Sequence, residues 1–102
     1  MLETVISKPI YRTLTNLTQE PRLEVALLLA VKDLVRLKLK ESRGHKAAFE
    51  RRYGMDFRAF QRAWDKGQVA DKYSYQVERD YWEWEATISD EERLHQMWEN
   101  LP

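Results

Sequence analysis

Two histidines, His45 and His95, and the carboxylate-rich run Val77-Glu-Arg-Asp-Tyr-Trp-Glu-Trp-Glu-Ala-Thr87 hold the side chains that catalysis or metal binding would use. Neither histidine stands i, i+4 from a second ligand of suitable type, and the chain has no cysteine, so thiolate zinc, iron–sulfur and disulfide chemistry are excluded. In the acidic run, Glu78 and Glu85 share one flank of a helix but lie about 10 Å apart along its axis. That separation is too large for a shared proton or for one ion held directly by both. The chain also lacks a glycine-rich phosphate loop and a nucleophile elbow. These observations predict no catalytic residue, no metal site and no cofactor: the chain does not read as an enzyme.

Recognition is the better use for the same run. At about 100° per residue, Val77, Tyr81, Trp84 and Ile88 form one core-facing stripe, while Asp80 and Glu83 point to its far side and read as a solvated face. Trp82 stands more than about 100° from Trp84 and cannot join that stripe. A rigid ring flanked by Glu78 and Glu85 has the composition of an interface anchor for a basic partner. The alternative is internal: Trp82 packs on the chain's own basic stretch around Arg51 and Arg52.

The elements that must position this run are helical. Three glycines and three prolines in 102 residues leave little material for turns, and the size is that of a single domain, 1–102. Leu2 to Ile6 alternate weakly and predict a short N-terminal strand. Ser7 and Pro9 open a helix to about Gln19 that buries Ile10, Leu14 and Leu17. After Glu20-Pro21 a long central helix carries two apolar seams, Leu23/Leu27/Ala30/Leu34/Leu37 and Leu28/Val31/Val35/Leu39. Two seams need two covers, and a second copy of the chain is the expected cover for one, making a homodimer. Gly44 is a weak point in this helix, whereas Tyr53-Gly54 is its stop. Asp56 caps a short helix with Phe57, Phe60 and Trp64, Gly67 ends it, and Gln68 to Ser74 form a loop. A helix over about 75–87 follows, and the capping-box spacing of Ser89-Asp-Glu-Glu92 predicts a separate last helix with Leu94, Met97 and Trp98. The fold class is all-α.

Net charge is zero, yet it divides: residues 1–66 hold 14 Lys and Arg against 8 Asp and Glu, and residues 67–102 hold 3 against 9. Halves of opposite sign meet each other or meet different partners. Lys8, Arg12, Arg36 and Lys40 are the candidate nucleic-acid contacts. No apolar run approaches the roughly 20 residues of a membrane span, and the first residues have no secretory pattern, so the expected compartment is cytoplasmic.

Two resemblances add to this reading. The order strand, short helix, break and longer helix over Leu2 to Lys40 resembles ribbon-helix-helix repressors, whose paired strands enter the DNA major groove. Phe49-Glu-Arg-Arg-Tyr53-Gly54-Met-Asp-Phe57-Arg-Ala-Phe60, then Trp64, Gly67, Tyr75, Val77-Glu78 and Asp80-Tyr-Trp-Glu-Trp-Glu-Ala86, resembles a family of small microbial antitoxin-like proteins encoded beside toxins of the TumE type. That resemblance implies a cognate toxin protein held by the acidic-aromatic part, residues 44–102. Residues 1–43 would then dimerise and contact DNA. The competing function is a structural helical homodimer with no toxin partner.

Overall fold

The computed structural model describes residues 6–102, and among them there are four helices and no strand. They are α1 (Lys8–Thr18), α2 (Leu23–Tyr53), α3 (Phe57–Asp65) and α4 (Tyr75–Glu99). The chain is all-α over this range. The expected strand falls outside the described residues except for Ile6, which has no regular structure. Among the described residues no helix is long and apolar enough to cross a membrane.

Local chemistry accounts for the boundaries. Ser7 and the early proline open α1, and Gln19 ends it in the left-handed region at φ 57°. Glu20 then binds Arg22 three times, through the backbone N–H at 3.0 Å, Nε at 2.8 Å and Nη2 at 3.1 Å, which fixes the turn into α2. These contacts hold the Glu20 carboxyl down at about 2, the Arg22 side-chain bonds contributing most. The Tyr11 hydroxyl donates to the Pro21 carbonyl at 2.8 Å and ties α1 back to the same turn. α2 runs straight through Gly44 and stops where Gly54, at φ 68°, donates its N–H to Glu50 O. Asp56 caps α3 by accepting from the Ala59 N–H at 2.8 Å, and Ser74 caps α4 through the Val77 N–H at 3.2 Å.

Two expectations about helices fail. Of the three apolar residues assigned to the buried face of α1, only Leu14 is buried; Ile10 and Leu17 are exposed and line a shallow groove with Pro9 and Thr13. An eleven-residue helix lying along one partner covers a single line of contact, and Leu14 occupies it. The second failure is the separate last helix. α4 continues through Ser89-Asp-Glu-Glu92 without a break, since neither glycine nor proline intervenes, and the Thr87 hydroxyl turns back to Glu83 O of the same helix at 2.9 Å. Buried Thr87 and Leu94 also keep that stretch seated on its neighbours.

Packing follows the α2–α4 seam, and the result is elongated, 56 × 23 × 21 Å. At one end Val35 and Leu39 of α2 enclose Leu94 of α4, with Trp98 and Leu101 against them. At the other end α3 closes over both long helices, and Phe49, Phe60 and Trp84 form the centre of an aromatic cluster. Trp84 lies 5.1 Å from Phe60, 5.5 Å from Phe49 and 5.8 Å from Tyr53, ring centre to ring centre and stacked in each case. Its buried indole N–H has no acceptor among the described residues, a cost of about 1–3 kcal/mol. Full burial of the ring and its stacked pairs outweighs that cost.

Candidate partner-binding surface

The eleven residues from Val77 to Thr87 all lie on α4, so their roles follow from which side of that helix meets α2, α3 or solvent. Trp84 is wholly buried, and Val77, Tyr81 and Ile88 pack around it, which matches the expected core stripe.

Asp80 departs from expectation: it is only 1% exposed rather than solvated. A helix packed by α2 on one side and α3 on another buries a wider sector than a single stripe, and Asp80 lies in the part that faces α2. Its Oδ2 accepts from Arg52 Nη1 at 2.7 Å and from the Tyr53 hydroxyl at 2.5 Å, and its Oδ1 accepts from Gln76 at 3.4 Å. Burial pushes this carboxyl up, but the bonds from Tyr53 and Arg52 and the Arg52 charge together prevail and hold it below its ordinary 3.8. Tyr53 moves the opposite way, to about 12, through burial first and then its bond to Asp80 and that group's charge.

Further along the seam Glu91 meets Lys46 at 3.0 Å and Arg43 at 3.9 Å. The basic and acidic halves of the chain therefore meet each other along α2 and α4. The Arg43 guanidinium also approaches His95 Nε2 at 3.3 Å, and Arg36 lies over the Trp98 ring at 5.3 Å.

Trp82 takes no part in this pairing. It is 65% exposed, and its ring neighbour is the adjacent Tyr81 at 5.7 Å, so packing on Arg51 and Arg52 is not what the chain does. Tyr75, Glu78, Arg79, Trp82 and Glu83 line a shallow groove of about 300 Å³ on the outer side of α4. Glu78 thus joins Trp82, whereas Glu85, half-buried on the flank nearer the core, does not line this groove. Arg79 and Glu83 span it as an ion pair at 2.9 Å.

Sequence reasoning missed the tyrosines. Tyr75 and Tyr73 are both largely exposed, at the start of α4 and in the loop before it. The signal was present in the spacing, since Tyr75, Glu78 or Arg79, and Trp82 follow i, i+3 or i+4, i+7.

The four candidate nucleic-acid contacts do not converge on one built site. Lys8 and Arg12 are exposed on α1; Arg36 and Lys40 lie on α2, where they line a shallow groove with Asp33, Leu37 and Arg43. Arg36 is also paired to Asp33 at 3.1 Å. Both histidines are exposed, and no cluster of three metal-ligating side chains occurs among the described residues. Compared with protein-family models, curated proteins and solved structures, the chain matches none.

Proposed function

We propose that this protein is an antitoxin-like binding module that captures a basic toxin protein on the outer side of α4 and neutralises it by occlusion. The observation that carries the reading is Trp82: a tryptophan 65% exposed on a well-packed helix, beside Glu78 and in line with exposed Tyr75. A monomeric protein places large rings where they are covered, and Trp and Tyr are the side chains on which interface energy concentrates. Glu78 at the groove selects a basic counterpart, and Glu85 supplies charge on the neighbouring flank, Glu83 being paired already with Arg79. The resemblance of the Asp80 to Ala86 run to antitoxin-like proteins supplies the kind of partner. In the same reading residues 1–43 serve self-association, and Lys8, Arg12, Arg36 and Lys40 contact operator DNA in autoregulation, inside a cell's cytoplasm.

The test is capture of the purified product of the neighbouring gene by wild type and Trp82→Ala. Removal of an interface anchor costs about 2 kcal/mol or more, so affinity should fall at least about 30-fold. Thermal unfolding should stay within about 0.5 kcal/mol of wild type, as for other surface substitutions. Undiminished capture would remove Trp82 from the interface. A protein that binds no such product is the structural helical module instead.

A further inference from the structure

The two apolar seams of α2 have different fates. Val35 and Leu39 of the second are buried under α4, whereas Leu27, Leu34 and Leu37 of the first, about 100–120° further round the helix, are exposed, Leu34 by 54%. Val31 on the flank is exposed as well, and Ala30 within the row is half-buried. We infer that this open row is covered by the same row of a second copy, with the two α2 helices antiparallel about a twofold axis level with Lys32. The inference deepens the self-association part of the proposed function and is independent of toxin capture.

The spacing Leu27, Ala30, Leu34, Leu37 is symmetric about its midpoint, so reversing one helix superimposes the row on itself. Leu27 then faces Leu37 of the second copy, and Ala30 faces its Leu34. Every layer contains at least one leucine, and each small residue meets a large one. On one flank Val31 meets its own counterpart and Glu24 reaches Lys38 of the second copy, twice by symmetry. On the other flank the two Asp33 side chains approach, each already paired to its own Arg36 at 3.1 Å. A parallel pair would join Asp33 to Lys38 of the other copy but would set Ala30 against Ala30, leaving a gap between leucine layers. With the flanks nearly balanced, the layers decide for antiparallel. Leu27, Leu34 and Leu37 are exposed while Leu14, Ala26 and Leu94 are buried, so the row is open in the folded chain without rearrangement.

Light scattering at micromolar concentration tests the pairing and should give twice the 12.3 kDa chain mass. The exposed-site variant Leu34→Glu should give the single-chain mass with unchanged helical circular dichroism, and Trp82→Ala should keep the dimer mass. A wild-type chain that stays monomeric up to about 100 μM, where interfaces of this kind associate, would overturn the pairing. Because the chain lacks cysteine, orientation is tested by single introduced thiols. A mixture of Leu27→Cys and Leu37→Cys should link between unlike chains with a short bis-maleimide, whereas Leu27→Cys alone should link poorly, because its own counterpart lies ten residues away, about 15 Å along the axis. Efficient linkage of Leu27→Cys to itself would overturn the antiparallel arrangement. Should Leu34→Glu abolish capture of the neighbouring gene's product while wild type is monomeric, the row belongs to that partner and not to a second copy.

Discussion

At the scale of single residues, one buried carboxylate organises the join between α2 and α4. Asp80 holds Arg52, Tyr53 and Gln76 together, and its charge is satisfied at the point where the aromatic cluster meets the polar seam. Because its carboxyl is held below 3.8 in the fold, the stability it contributes is complete above that value and disappears as pH falls through the lower folded value. Tyr53 acts at the other limit: with its hydroxyl raised from 10 to about 12, it favours the folded chain below pH 10 and loses that contribution as pH climbs toward 12. Urea unfolding measured across pH should therefore weaken below about pH 4 and above about pH 10, from the ordinary side-chain values. Asp80→Asn should lose about 2 kcal/mol near neutrality, where a hydrogen-bonded charge is replaced by a neutral amide, and should lose part of the acid dependence, with Glu20 keeping the rest. An unchanged acid limb in that variant would assign it to other carboxylates. Trp82 is the counterpart at this scale, a residue whose removal should leave the same curves in place.

At the scale of elements, α2 carries a testable weakness. Gly44 lies in the middle of a helix of 31 residues, at an exposed position where an added Cβ would meet nothing within 4 Å. Gly44→Ala should stabilise the chain by about 0.5–1 kcal/mol by relieving the entropy that glycine loses in a helix. Denaturant unfolding with an unchanged m-value measures it. The same helix shows what was legible in advance. Its start after Pro21 and its stop at Gly54 follow from residue types with strong local preferences, and its passage through Gly44 follows from the helix formers on either side. Asp56 as a cap and the loop before α4 follow for the same reason. The places where local reading failed are those where tertiary contacts prevail. Ser89 to Glu92 have the spacing of a helix start but lie inside α4, because residues on both sides remain packed. Asp80 reads as solvated when α4 is given one neighbour and as buried when it has two. Leu17 and Ile10 fit an amphipathic pattern, yet no described residue covers them. Of the candidate contact surface, Trp82 and Glu78 were legible because the angle from Trp84 alone excludes them from the core; the exposure of Tyr73 and Tyr75 depends on where the loop lies.

At the scale of the whole molecule, the chain is a rod with unequal ends. Its radius of gyration of 19.6 Å exceeds the roughly 13 Å of a globule of about 100 residues. Apolar packing divides into the aromatic cluster where α3 closes over α2 and α4, and the smaller group around Val35, Leu39 and Leu94. α1 rests on the far end through Leu14 and the Tyr11 bond to Pro21. Amide hydrogen exchange should follow that gradient, slowest in α2 and α4 beside Trp84 and Phe49 and fastest in α1, with residues 27–37 of α2 gaining protection at concentrations where the chain dimerises. Uniform protection along α2 and α1 at low concentration would contradict it. The unbroken course of α4 also makes it a ruler. Trp82 and Trp98 are sixteen residues apart on one continuous helix, about 24 Å at 1.5 Å per residue, with no joint between them. In an antiparallel pair, where the two α2 helices carry their α4 helices in opposite directions, the two Trp82 surfaces stand at opposite ends of the assembly. Two captured proteins would be held out of each other's reach, and each site would fill without regard to the other.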